Sequence, residues 1–393
     1  MRTSPLKSLL LTLWFVVPLI SCSSSGGIGG SGMTSQGTVS EIGSIFVNGT
    51  EFDTSNAVVI VEGEEKGVGD GVVLNNLDVG KVVTVYGTRS EDGQRGVANR
   101  VTYNDNVEGP VESVIVRSAT RKDIVVLGQT VIVNVITRFK GVGFTFDTIA
   151  VDDVVEVSGF ADDTGAIWAT FLERTDGLVF EVAGFVDNLN AGLKTFEINN
   201  LTVDYSAADA SGLPGGVPVE DLFVEVGGVL APTGELLADL IELGDQLEVE
   251  NADEIELTGF VRDDTLAPGE FTLGNQVVRT VAATIFVDGT AGDIASGQKL
   301  NAEGRLENGI LYAREIEFWE PDQIEVEGLV AEDASAPAQF TVGTQVVQTD
   351  VGTVYEDITP GEIVLGVRLE VKGVPVDIDR SILIADKVSL EVD

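Results

Sequence analysis

The chain has 393 residues, 23 of them basic and 64 acidic, for a formal net charge of −41, with one cysteine and no histidine. Those counts exclude Ser-His-Asp and Cys-His catalysis, histidine-ligated zinc and any disulfide within the chain. So negative a surface repels nucleic acid and anionic headgroups and attracts cations or basic partners, while 44% apolar residues mark a folded protein and not a disordered one.

In chain order, residues 1–21 have the layout of an export signal. Arg2 and Lys7 make a short positive segment, and Leu9–Ile20 (LLLTLWFVVPLI) is an apolar run shorter than the about 20 residues that span a bilayer. Leu19-Ile20-Ser21-Cys22 resembles the bacterial lipoprotein box. The resemblance implies that Cys22 is lipidated and becomes the first mature residue, and Ser23 after it points to the outer membrane. The alternative is an ordinary secretory signal with an incidental cysteine, which would leave a partnerless thiol in an oxidising compartment. Residues 22–36 read as a flexible Gly/Ser tether. Its formal G-x-G-x-x-G (Gly27, Gly29, Gly32) has no strand before it and no helix after it, so it is not a nucleotide motif.

Beyond the tether the chain repeats at intervals of about seventy residues. The clearest frame is Gly366-V-R-L-E-V-K-Gly373, whose alternation predicts a half-buried strand. It recurs at Gly80–Gly87, Asp152–Gly159, Asp221–Gly228 and Gly297–Gly304. Each unit opens on a Gly-x-Val-like strand: Gly37–Val39, Gly109–Val111, Gly184–Val186, Gly259–Val261 and Gly328–Val330. A tight hairpin follows, with expected turn residues Asn48-Gly49, Gly128-Gln129, Asn199-Asn200, Gly274-Asn275 and Gly343-Thr344. One longer connection, such as Asp204 to Val219, separates strands three and four. Each unit closes with an Ala and an aliphatic residue three positions on: Ala98/Val101, Ala169/Leu172, Ala238/Ile241, Ala313/Ile316 and Ala385/Val388. Positions three apart face opposite sides of a regular strand. If both members face the core, a β-bulge must follow each Ala.

These signals predict an all-β chain of five tandem modules, 37–106, 107–178, 179–250, 251–322 and 323–393. Each is expected to be a small five-stranded barrel of OB type, with an SH3-like barrel or small sandwich as alternatives. A unit of this size buries only roughly 60% of its unfolded surface, so neighbours are expected to pack end to end into an elongated rod or arc. The pattern G-x-V, F-x-V-x-G-x-x-V, G-x-x-V-x-V-x-G, A-x-x-I resembles the bacterial domain of unknown function 5666 over residues 37–393. The third repeat departs from it, with Asn199-Asn200 at the turn and the insertion Ser211–Pro218 (SGLPGGVP). The resemblance implies an exported or lipid-anchored tandem protein and carries over no catalytic residue.

Little enzyme chemistry survives this inventory. No G-x-S-x-G occurs, and Gly80-Lys81 is followed by Val82 and not by a phosphate-loop Ser or Thr. Carboxylate-only hydrolysis of a polysaccharide remains as a minor alternative. Calcium would need six to eight oxygens. The acid pairs Asp152-Asp153, Asp162-Asp163, Asp263-Asp264 and Asp377-x-Asp379 read first as turn residues, and the stretch Asn104–Gly109 has Ile115 where an EF-hand needs its glutamate. A basic island, Arg117, Arg121, Lys122, Arg138 and Lys140, would either contact an anionic ligand or compensate acidic neighbouring units. Trp168 and Trp319 would stack on sugars or seal barrel ends and junctions, Trp319 at the boundary of units four and five. The expectation is a non-enzymatic, lipid-anchored envelope protein with a binding, spacer or scaffold role, without cofactor, catalytic or metal residues assigned. Its partners would be the membrane through Cys22 and an envelope glycan, a cation or another envelope protein, and not nucleic acid.

Overall fold

The computed structural model describes residues 32–90, 93–244, 247, 249–336 and 338–390. The export signal, Cys22 and most of the tether lie outside the described residues. The rest is almost wholly strand, folded as several small closed five-stranded barrels in tandem.

Unit one shows how a barrel closes. Its elements are β1 (Met33–Glu41), β2 (Ile45–Val47), β3 (Thr50–Asp53), β4 (Val58–Val61), β5 (Glu64–Val68), α1 (Asp70–Asn76), β6 (Val82–Arg89) and β7 (Arg95–Tyr103). β1, β2 and β3 form an antiparallel meander, β3 runs parallel to β7, and β7 pairs with β6, which returns to β1. β4 prolongs the third strand along β7, and β5 folds back on it as an extra hairpin. Neither that hairpin nor α1 belongs to the repeat; both sit in the connection between strands three and four.

Unit two comprises β8 (Val107–Val116), β9 (Lys122–Val126), β10 (Gln129–Val133), β11 (Arg138–Lys140), β12 (Val154–Ala161) and β13 (Ile167–Thr175). Unit three has β14 (Phe180–Phe185), β15 (Asp187–Asn190), β16 (Thr195–Ile198), β17 (Leu201–Asp204), β18 (Phe223–Leu230) and β19 (Leu236–Leu243). Unit four has β20 (Ala252–Asp263), β21 (Glu270–Leu273), β22 (Gln276–Val287), β23 (Lys299–Glu307) and β24 (Ile310–Trp319). Unit five has β25 (Ile324–Ala336), β26 (Gln339–Val342), β27 (Gln345–Gln348), β28 (Val354–Glu356), β29 (Arg368–Pro375) and β30 (Leu383–Leu390). In each the third strand runs parallel to the last, as in β10–β13, β17–β19, β22–β24 and β27–β30. The last strand pairs with its predecessor, which pairs with the first.

The sequence motifs meet in space. The residue opening each frame, Gly80, Asp152, Asp221, Gly297 or Gly366, has a left-handed backbone. Its N–H donates to the carbonyl of Val39, Val111, Val186, Val261 or Val330 at 2.8–2.9 Å, and that valine's own N–H donates to the next frame residue at the same distance. These paired bonds clasp strand four to the opening strand, which explains why Gly or Asp starts the frame: both tolerate a positive φ.

The bulge after each closing Ala is present. Register slips by one residue between Tyr86 and Gly87, Ser158 and Gly159, Gly227 and Gly228, Glu303 and Gly304, and Lys372 and Gly373. Both members of every Ala/aliphatic pair are therefore buried. The frame's final glycine is required by the same feature. A Cβ on Gly373 would lie 2.1 Å from the Ile384 carbonyl, and the equivalent glycines meet their partner strands at 2.1–2.2 Å. Thr137, Thr284 and Thr353 donate their hydroxyls to the bulge-alanine carbonyls of units two, four and five at 2.7 Å.

Three expectations are corrected. Met33–Gln36 are not tether: they open β1, with Met33, Thr34 and Ser35 buried between strands on both edges. Sheet pairing buries this polar run, so no apolar alternation announces it. The hairpin turn of unit two is Leu127-Gly128, one residue earlier than expected, with Leu127 at φ 46°. Its side chain is fully buried in the core, which offsets the strained backbone. Nor do the units run as a rod. β1 pairs in parallel with β20 of unit four, Met33 opposite Glu254 through Gln36 opposite Leu257. β8 pairs with β14, so units two and three share a sheet and one continuous core. Arg380 of unit five donates to the Val135 and Ile136 carbonyls of unit two. Because β1 extends beyond β2, it presents a free edge that β20 occupies, and the array folds back on itself.

Candidate functional site

The recurring positions are spent on closing barrels, so distinctive chemistry must lie where units meet. Buried charge concentrates there. At the joint of units one and four, Arg89 at the end of β6 places its guanidinium among Glu254, Glu256 and Glu303, with Nη1 3.2 Å from Glu256 Oε2. Glu256 is 8% exposed. Burial pushes its pKa up to about 8 although Arg89 pulls the other way. Asn301 Nδ2 donates to its other oxygen at 3.1 Å, and Glu256, Asn301, Glu303, Glu315 and Glu317 line a small polar cleft.

At the joint of units four and five, Lys372 is buried with its ammonium among Glu317, Glu325 (3.4 Å) and Glu370 (3.5 Å). Burial works against its charge, but the three carboxylates outweigh it and hold its pKa above the ordinary lysine value. Its Nζ lies 4.6 Å over the Trp319 ring, whose Nε1 donates to Glu317 at 3.0 Å. Trp319 is thus junction packing. Trp168 sits likewise between units two and four, 5.8 Å from Phe260, with Nε1 donating to Asp162 at 3.0 Å.

The joint of units one, two and three is different. Glu62, in the β4–β5 turn, Glu181 on β14 and Glu225 on β18 bring one carboxylate oxygen each to within 4.8 Å of the others. In the β14–β18 pairing Ala183 is opposite Glu225, which sets Glu181 and Glu225 on one face as diagonal neighbours. Glu62 Oε1 accepts the Asp105 N–H at 3.0 Å, whereas its Oε2 is buried with no hydrogen-bond partner. Burial, then Glu225 and Glu181, push Glu62 up to about 9. Asp105, in the linker before β8, is 7% exposed, and burial followed by Glu62, Glu156, Glu181 and Glu108 drives its pKa far upward. The cation that the described ion pairs bring to this joint is buried Lys81, 2.9 Å from Glu156 and 4.1 Å over the Tyr103 ring. The Tyr103 hydroxyl also donates to Glu156 at 2.5 Å. Of the described residues, Glu62, Glu181 and Glu225 are the group that offers a metal convergent oxygen ligands.

The family profile of a domain of unknown function (DUF5666) matches residues 36–102, 108–173, 258–317 and 327–388, more than half of the chain. The chain belongs to that family. The span of the departing third repeat is not among the DUF5666 matches. No curated protein matches this chain. Among solved structures it is similar to a chain described as "drosophila Unr CSD456", at 14% identity, covering 53% of this chain and 96% of that one, with a TM-score of 0.13.

The basic island of the second DUF5666 repeat does not converge. Arg117 and Arg121 share Asp123, at 2.6 and 3.0 Å, and Lys122 turns inward, 7% exposed, to donate to the Phe146 carbonyl. Lys140 bridges to Asp78 of unit one and to Glu173, at 3.0 and 3.1 Å. Arg138 is exposed, near enough to Arg380 that its charge adds to burial in lowering Arg380 to about 9. The paired turn acids do not converge either. Asp162, Asp263 and Asp377 accept hydrogen bonds from Thr164, Thr265 and Ser381 in their own turns, and Asp153 pairs with Arg174 at 2.9 Å. Glu62, Glu181 and Glu225 escaped sequence reasoning because Glu62 belongs to unit one, and Glu181 and Glu225 lie on separate strands of unit three. Asp105 does lie within the Asn104–Gly109 stretch considered for calcium, but in a different role.

Proposed function

We propose that this DUF5666 chain is an exported lipoprotein, anchored through Cys22 to the bacterial outer membrane, whose five OB-type barrels form a folded-back, non-catalytic scaffold. The proposed boundaries are a signal over 1–21, a tether ending before Met33, and modules ending near residues 106, 178, 250, 322 and 393. Support for the OB type is the strand order one-two-three-five-four-one, with strands three and five parallel and the longest connection before strand four. The observation that carries the scaffold reading is what recurs from unit to unit. The clasp, the bulge alanine, the frame glycine and the apolar interior all close barrels, and none supplies a nucleophile or a base. Among the described residues no helix is long and apolar enough to cross a membrane, which leaves attachment to the cysteine in this reading.

Fractionation of cells expressing the wild type and Cys22→Ser tests the anchor: the wild type is expected in membranes and the variant in the soluble fraction. Retention of the variant in membranes would overturn the anchoring. Scattering from the released variant tests the scaffold. A folded-back array of this length should have a radius of gyration not far above the about 21 Å of a compact chain, and a rod-like profile would reject it.

A further inference from the structure

We propose that the carboxylates at the joint of units one, two and three form a calcium site that ties the Glu62 turn of unit one to strands β14 and β18 of unit three. Glu62, Glu181 and Glu225 supply convergent oxygens within 4.8 Å of one another, close enough to share one ion. Two further observations point to a ligand. Glu62 Oε2 is buried with no hydrogen-bond partner. Asp105 is 7% exposed and its N–H donates to Glu62 Oε1 at 3.0 Å, so a second buried carboxylate lies beside the cluster. A carboxyl oxygen left without a partner in a protein interior is costly, and a hard cation that displaces the proton satisfies several such oxygens at once.

The donor set selects the ion. Oxygen-only ligands on a chain without histidine, and with its lone cysteine far away in sequence, disfavour zinc and copper and suit calcium or magnesium. Magnesium demands near-ideal octahedral geometry. Calcium accepts an irregular cage of mono- and bidentate carboxylates completed by water, which is what side chains from a turn, a linker and two strands provide. The neighbouring Lys81 is engaged with Glu156 at 2.9 Å and so does not occupy the cluster. This site is separate from the paired turn acids, whose oxygens are engaged by their own turns. It rests only on the three-unit joint and not on the membrane anchor or the scaffold role, so either can fail alone.

The test uses the full Cys22→Ser chain, stripped with a chelator and then titrated with calcium chloride by calorimetry and thermal melting. Saturable binding is expected with a Kd in the range of about 10⁻⁵ to 10⁻³ M, together with a rise in melting temperature. Glu62→Gln and Glu225→Gln should each weaken binding at least about tenfold, since each deletes one anionic ligand, while Asp263→Asn should leave it unchanged. Gln keeps the shape and removes a buried charge, so the variants are expected to fold, and circular dichroism verifies it. Terbium supplies an independent readout: emission excited through Tyr103 should appear on binding, be displaced by calcium, and fall in Tyr103→Phe. Absence of saturable binding up to about 10 mM calcium, ten times the weakest affinity of such sites, overturns the proposal. So does binding that survives unchanged in the Glu62→Gln/Glu225→Gln double variant, or terbium emission that calcium does not displace.

Discussion

Two joints between barrels bury acidic side chains and answer the cost in opposite ways. Where unit one meets unit four, Glu254, Glu256 and Glu303 surround Arg89, whose side chain is 11% exposed, so the chain carries its own counter-charge into the contact. Where units one, two and three meet, Glu62, Glu181, Glu225 and Asp105 gather with Lys81 committed to Glu156. The joint of units four and five follows the first pattern, with Lys372 among three glutamates. The contrast shows how a strongly acidic chain holds like-charged modules together. A guanidinium or ammonium sits among the clustered acids at two joints, while at the third the ammonium of Lys81 pairs with Glu156 and the proposed calcium would serve the Glu62 cluster.

The largest effect should come from removing the built-in charge. Arg89→Met leaves Glu256 buried without its ion-pair partner, since Arg314 at the same joint reaches Glu254 and Glu303 and not Glu256, and breaking such a group costs about 3–5 kcal/mol. Urea denaturation at pH 8–9 measures it. The loss should shrink toward pH 5, where Glu256, whose pKa is already about 8 with Arg89 present, is protonated in either variant. A loss that stays constant with pH would mean that Arg89 acts through packing, and the contrast between the joints would fail.

Lys81→Met sharpens the comparison from the other side. Lys81 is 4% exposed and contacts Glu156 and the Tyr103 and Phe171 rings. Its removal should cost less, about 2 kcal/mol, because the Tyr103 hydroxyl still donates to Glu156. Added calcium should recover part of that loss. No comparable recovery is expected for Arg89→Met, and a melting series with and without calcium separates the two.

Much of the barrel was legible in the sequence, and the joints were not. The three-residue spacing of Ala313 and Ile316 required one extra residue if both face the core, and Arg314 is that residue: Ala313 pairs with Gly304 and Glu315 with Glu303. Turn chemistry located the hairpins of units one, three, four and five. It missed by one residue at Leu127, where burial of a leucine overrode its aversion to positive φ. Such features are local, governed by the two-residue strand period and by backbone sterics. Which units touch is decided by free strand edges, and the β1–β20 pairing joins residues more than two hundred positions apart. The basic island shows the same limit: Lys122 and Lys140 are close in sequence, yet one reaches Phe146 and the other Asp78. With 64 acids in the chain, no spacing rule would have singled out Glu62, Glu181 and Glu225.

The pH dependence of stability is the effect that most directly separates the two joints. Glu62 rises to about 9 and Glu256 to about 8 on folding, from an ordinary value near 4.5. Between the unfolded and folded pKa values the native state binds more protons than the unfolded one, so stability falls as pH rises. In chelator, the wild type should therefore be most stable below about pH 4.5–5 with respect to these groups and lose that contribution progressively up to about pH 9. Glu62→Gln cannot ionise, so it should match the wild type near pH 5 and exceed it by about 1–3 kcal/mol at pH 9, the scale of one unsatisfied buried polar group relieved. Calcium should reverse the order by stabilising the wild type and not the variant. Glu256→Gln should flatten the profile only up to about pH 8 and should respond to calcium as the wild type does, because Arg89 already occupies its joint. If Glu62→Gln and Glu256→Gln give the same profile with and without calcium, the two joints are electrostatically equivalent and the division between built-in and borrowed counter-charge does not hold.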